Sequence, residues 1–96
     1  MNTYRLTAAA RRDVSSIWDF TEERWDARQA ETYLHEIRAA LERIAEDPSR
    51  GRLRDEIRDG YLSYRIGSHT IFFISRPDGI DVIRILHQRM DVDRNL

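Results

Sequence analysis

The chain has 96 residues, 41% of them hydrophobic and 34% charged, with a formal net charge of −1 and no cysteine. That length makes a single domain, 1–96, which buries roughly two-thirds of the surface its unfolded form exposes and leaves little room for a deep internal cavity. A near-neutral balance argues against wholesale binding to nucleic-acid phosphate, and without cysteine there is neither a disulfide framework nor a thiolate metal site. No apolar run approaches the ~20 residues of a membrane span, and the first five residues lack a signal-peptide apolar stretch, so the expected compartment is the reducing cytoplasm. All sixteen basic residues are arginine. A codon bias of the source genome explains that most simply. Its chemical consequence is that these side chains clamp anions but do not shuttle protons.

Thr3 to Leu6 alternates as a short strand, and Thr7 then supplies an N-cap hydroxyl for a first helix. In that helix Ala10, Val14, Ile17, Trp18, Thr21 and Trp25 form a helical stripe. Asp26 caps a second helix in which Ala30, Tyr33, Leu34, Ile37, Leu41, Ile44 and Ala45 repeat the pattern until Asp47-Pro48 ends it. The tight junction at Asp26 makes the pair an antiparallel hairpin, with its apolar stripe reading as core rather than as a cofactor box. His35 falls off that stripe and reads as solvated. From Ser49 to Gly60 arginine and acid alternate, which fits self-neutralising pairs on a surface loop, with Leu53 and Ile57 tacking the loop down. One or two of Arg50, Arg52 and Arg54 are in reach of the sheet.

A three-stranded meander follows. Its turns are a two-residue turn with Gly67 first and a three-residue turn with Gly79 left-handed, so that Ile66 is expected opposite His69 and Arg76 opposite Ile80. On that register one face collects Leu62, Tyr64, Ile66, His69, Ile71, Phe73, Ile83, Ile85 and His87, and the helical hairpin covers it. The other collects Tyr61, Ser63, Arg65, Thr70, Phe72, Ile74, Arg76, Ile80, Val82, Arg84 and Leu86. The fold class is therefore α+β, in the order β-α-α-β-β-β: a short N-terminal strand, then a helical hairpin packed on one face of a small antiparallel sheet. Phe72, Ile74, Val82 and Leu86 form an apolar band on the uncovered face, and such a band rimmed by arginine marks an interface for an amphipathic helix or an added strand. Taken singly, Arg65 and Arg84 also fit a structural role, stem over Phe72 and head paired to an acid. His69 and His87 face each other across the strands, but no third ligand accompanies them, so packing is favoured over a metal site and none is assigned.

The order of elements and the words themselves resemble the ParE toxins of bacterial toxin-antitoxin systems, within the RelE/ParE superfamily. The resemblance runs through Tyr4-Arg5-Leu6-Thr7, Ala9, Ala10, Asp13, Ile17-Trp18, Glu23-Arg24-Trp25, Gln29-Ala30, Tyr33-Leu34, Pro48, Gly51, Ile57-Arg58 and Gly60-Tyr61. Its most specific parts are Gly67-Ser68-His69 with Ile71-Phe72-Phe73, and Ile83-Arg84-Ile85-Leu86-His87-Gln88-Arg89-Met90-Asp91. It implies a growth-inhibiting toxin of the plasmid-stabilisation type, without cofactor or enzymatic activity, held in a hetero-oligomer by a ParD-like antitoxin and acting on DNA gyrase, with no direct DNA binding. The contact residues expected for antitoxin or target are Arg65, Phe72, Ile74, Val82, Arg84, Leu86, Arg89 and Met90, with the tail from Met90 to Leu96 as a further contact.

The same superfamily contains RelE-like nucleases that cleave messenger RNA on the ribosome. That reading would make Arg65, Arg84 and Arg89 the catalytic set, since metal-free cleavage needs groups that activate the 2′-hydroxyl, stabilise the phosphorane and protonate the leaving oxygen. Thr70 stands where such members usually carry a sheet arginine, no lysine is present, and no tyrosine follows Tyr64. Proton transfer therefore has no evident carrier, which favours the ParE reading. A non-toxic homologue that only binds an antitoxin is the third alternative.

Overall fold

A computed structural model describes residues 2–96. Strand β1 (Thr3–Leu6) leads into helices α1 (Ala8–Arg24) and α2 (Ala27–Glu46). A 3-10 turn at Pro48–Arg50, a short strand β2 (Arg52–Leu53) and the meander β3 (Tyr61–Ile66), β4 (His69–Arg76) and β5 (Gly79–His87) follow, and a single turn of helix, α3 (Val92–Asn95), closes the chain.

Both expected helix caps form. The Thr7 hydroxyl accepts from the Ala10 amide at 3.0 Å and donates to the Ile83 carbonyl at 2.8 Å, tying β1, α1 and β5 together. The Asp26 carboxylate accepts from the Gln29 amide at 2.7 Å and starts α2. Each cap satisfies a helix-terminal donor that would otherwise lack an intrahelical partner.

The sheet has five strands in the order β1-β5-β4-β3-β2. The meander is antiparallel as expected, whereas β1 joins β5 in parallel, pairing Thr3 to Leu6 with Gly79 to Val82, so the sheet is mixed. The segment read as a loop contributes β2, in which Leu53 pairs with Leu62 and stays exposed instead of tacking anything down.

Register holds in the first half of the β4-β5 pair and slips in the second. Ile66 does face His69, and His69 does face His87. Phe72 faces Arg84, yet Phe73 faces Val82, so Ile83 is one residue too many on β5: a bulge. The turn beyond it is consequently two residues, Pro77 and Asp78, with Arg76 opposite Gly79 rather than Ile80. Gly79 has φ 146°, and a Cβ there would sit 1.7 Å from the Thr3 carbonyl oxygen, so only glycine lets β1 approach.

Because side chains alternate along a strand, one inserted residue exchanges the faces beyond it. Ile80 and Val82, expected on the uncovered face, turn under the helices and join Ile71, Phe73, Ile85, Ala10, Ile17, Ile37, Leu41 and Ile44 in the core. Val82 is thereby removed from the expected contact surface: it is a core residue, fully buried.

Candidate binding groove and the second sheet face

The sheet face away from the hairpin is not the open apolar band that alternation implies. Phe72 is 2% exposed and Leu86 1%. The Arg54 guanidinium lies 5.8 Å above the Phe72 ring and donates to the Ser63 hydroxyl at 3.2 Å, so the arginine-rich segment closes one side of this face. Arg84, from the same face, donates through Nη1 to the Asn95 carbonyl at 2.8 Å and so tethers α3. Ile74 is half-buried, and exposed Arg65 donates to the Gln88 side chain. Of the expected contact residues, then, Phe72, Leu86 and Val82 are interior. Arg65, Arg89 and Met90 remain accessible.

Arg84 is committed on its other side as well. Its Nε and Nη2 meet the two carboxylate oxygens of Asp13 at 2.7 and 2.8 Å, and Asp13 also accepts from the Ile85 amide at 2.9 Å. Here α1 crosses the β5 edge just past the end of β1, and Asp13 takes over the edge amide that β1 no longer reaches. Asp13 is nearly buried, and its hydrogen bonds hold the Arg84 guanidinium above its usual pKa against the opposing effect of burial. Arg84 is thus a structural clamp with all three nitrogens engaged.

The accessible surface lies on the α1 side of that clamp, as a groove of about 1020 Å³. Its floor is Asp13, Ile17, Arg84 and Ile85, and one wall is formed by Ala9, Arg12, Ser16, Phe20, Arg24 and Trp25. The other wall is Ser68, His69, His87, Gln88, Arg89 and Met90. Three of its apolar residues face solvent: Trp25 at 69% exposed, Phe20 at 55% and Met90 at 44%. The Arg24 guanidinium lies 5.8 Å from the Phe20 ring centre. Trp25 was expected in the helical stripe, but as the C-cap of α1 it has already left helical geometry and points outward.

At one end of the groove an imidazole pair is held by its neighbours. The rings of His69 and His87 stand edge to face with centroids 5.2 Å apart. Tyr33 of α2 places its hydroxyl 2.7 Å from His69 Nδ1 and accepts the Ser68 amide at 3.1 Å, clamping the β3-β4 turn. Gly67 there has φ 56°, and a Cβ would lie 2.7 Å from that hydroxyl. Burial and the neighbouring His87 depress the His69 pKa to about 4, partly offset by Asp13, so the ring is neutral at pH 7. Burial raises the Tyr33 pKa, which keeps its proton available for donation. His87 Nδ1 accepts the Arg89 amide at 3.1 Å. Among the described residues no cluster of three or more histidines and carboxylates could hold a metal.

Sequence reasoning did not assign roles to Asp13, Tyr33, Phe20 or Trp25 in this arrangement. A signal existed for two of them. Asp13 sits three residues after Ala10 and four before Ile17, an acid inside an apolar stripe, and Trp25 immediately precedes the Asp26 cap.

Comparison with known proteins gives a consistent result. A family model described as ParE toxin of type II toxin-antitoxin system, parDE, matches residues 4–92. Toxin ParE1 of Mycobacterium tuberculosis (strain H37Rv) is 52% identical over 94 residues, covering 97% of this chain and 96% of the relative. Toxin ParE1 of Caulobacter vibrioides is 38% identical over 96 residues, covering 100% and 99%. Among solved structures, a chain from the chromosomal ParDE system of P. aeruginosa superposes with a TM-score of 0.75 at 17% identity, covering 91% of this chain and 96% of that one. A chain of the RelBE2 toxin-antitoxin complex from M. tuberculosis gives 0.59 at 22% identity, covering 90% and 96%. At such identities the structural likeness shows the fold.

Proposed function

Since the chain belongs to the ParE toxin family of type II toxin-antitoxin systems, we propose that it is neutralised in a hetero-oligomer by a ParD-like antitoxin and that, when free, it inhibits DNA gyrase and arrests growth without itself being an enzyme. It acts in the cytoplasm and does not bind DNA directly. One observation supports the non-catalytic reading above others: the arginine best placed for phosphate chemistry is already saturated. Arg84 spends Nε and Nη2 on Asp13 and Nη1 on the Asn95 carbonyl, so engaging a phosphorane would mean dismantling the junction of α1, β5 and the tail. Arg65 is likewise bonded to Gln88. The two imidazoles stand on the other side of the sheet from Arg65, so they do not complete a proton-transfer set with it.

The RelBE2-like fold keeps a ribosome-dependent nuclease as the second reading, with Arg65, Arg84 and Arg89 as its charge-stabilising set. Two parallel reactions with purified protein separate them. One scores gyrase supercoiling and trapped cleavage complexes, the other cleavage of ribosome-bound messenger RNA. Gyrase inhibition with intact RNA is expected. RNA cleavage with unaffected gyrase would overturn the proposal, and inertness in both together with unimpaired cell growth would identify a binding-only homologue.

A further inference from the structure

Helix α1 carries on its outer side a charge order that its own chain does not use. Arg12, Ser16, Asp19 and Glu23 follow one another at spacings of four, three and four, so they form a single stripe, and all four are exposed. By the same spacing Phe20, 55% exposed, borders the stripe. Among the described residues, Arg12, Asp19 and Glu23 form no ion pair. For a helix standing alone this order is unfavourable. Asp19 and Glu23 are like charges one turn apart, Glu22 and Glu23 occupy the last turn, where the helix dipole repels anions, and the first turn holds no acid. The stability of α1 therefore does not account for these acids. The stripe is, however, complementary to itself. Laid antiparallel on its own copy with Ser16 at the centre, it brings each Arg12 against the other copy's Asp19 and Glu23 and opposes the two helix dipoles. A parallel pairing would set arginine on arginine and acid on acid.

We propose that α1 is a self-association surface: two copies of this chain pair through their first helices in an antiparallel, two-fold contact, the Arg12 of each seated on Asp19 and Glu23 of the other. Such a contact is isologous and closes at two copies. Ser16 adds little bulk at the axis, which lets the helices approach to the usual 8–10 Å. Phe20 of each copy covers the stem of the other copy's Arg12 and so withdraws aromatic surface from water. A net charge of −1 leaves little long-range repulsion against a second copy. A second copy fits better than nucleic acid or a peptide of one charge sign, because either of those would satisfy one half of the stripe and be repelled by the other. One pair of helices covers less than the roughly 1,600 Å² of a standard interface, so the dimer is weak, with a dissociation constant of about 10–100 μM.

The test is sedimentation equilibrium of the full chain, purified alone, from about 5 to 500 μM, a range that brackets such a constant. The mass is expected to rise from monomer toward dimer, and raising salt from about 0.05 to 0.5 M to weaken dimerisation by about tenfold. Arg12→Glu and Glu23→Arg, each alone, weaken it by about tenfold or more, since like charges then face each other. An equimolar mixture of these two variants restores the dimer, because residue 12 of each copy again meets the opposite sign at residue 23 of the other. Arg38→Glu, the same change of charge on the exposed face of α2, stays within about twofold. Circular dichroism melts of each variant distinguish lost contact from lost fold. A chain that stays monomeric throughout overturns the proposal and leaves the stripe to a partner of another sequence. Dimers indifferent to both variants overturn the choice of surface, and loss in the single variants without recovery in the mixture overturns the antiparallel pairing.

Discussion

Two arginines only five positions apart on the same strand and its extension have opposite fates. Arg84 is fixed on both sides, by Asp13 and by the Asn95 carbonyl, and its side chain is 22% exposed. Arg89, at the groove mouth, is exposed, lends its backbone amide to His87 and has no side-chain ion pair among the described residues. Residue type does not decide which arginine builds the protein and which is available to a partner. Local geometry does: Arg84 lies where α1 crosses an unsatisfied strand edge, and Arg89 lies past the last ladder bond. Phe72 and Trp25 repeat the contrast, one aromatic sealed beneath Arg54 and the other standing in water.

The sharpest break in that contrast is Phe72→Glu, which places a carboxylate in a covered site. It should cost more than about 4 kcal/mol and leave little folded protein in urea titration, whereas a merely exposed contact residue would tolerate the change. Next, Asp13→Ala leaves Arg84 uncompensated and the Ile85 amide without its acceptor. A loss of about 3 kcal/mol is expected, at the lower end for a broken buried pair because Arg84 keeps some contact with solvent. Equal stability of this variant and the parent would show that the clamp is dispensable.

Acid gives a further loss of up to about 3 kcal/mol through His69. Its folded pKa of about 4 lies below the unfolded 6.5, so the unfolded chain takes up its proton first as pH falls. The His69 contribution is fully favourable above 6.5, declines between 6.5 and 4, and is constant below. A stability profile of His69→Asn, which retains an acceptor beside Tyr33, should lack that component, and an unchanged slope would assign it elsewhere. The smallest effects belong to the groove rim: Arg89→Ala and Trp25→Ala should shift stability by no more than about 0.5 kcal/mol while altering partner binding. A large loss of stability from either would move that residue into the structural set.

Much of the architecture was legible because its signals are local. Thr7 and Asp26 are short polar residues placed just before apolar stripes, and such residues cap helices by bonding an amide two or three positions on. The turn at Gly67 set the β3-β4 register, and the alternation up to Phe72 followed from it. The contact surface was less legible, and the misplacements have separate origins. A bulge at Ile83 leaves no mark in a run of alternating residues, yet it turned Val82 from an expected contact into core. The covering of Phe72 depended on Arg54, which reaches it from a segment eighteen positions earlier in the chain.

The sequence by itself determined the helical hairpin, the antiparallel meander and the facing of His69 with His87, because periodicity, caps and tight turns act over a few residues. Tertiary structure alone decided the parallel docking of β1, the bulge, the burial of the second face and the division of the arginines into clamp and rim. Those outcomes depend on which strand edge or aromatic ring each side chain meets once the chain has closed, and such meetings join residues as distant as Asp13 and Arg84.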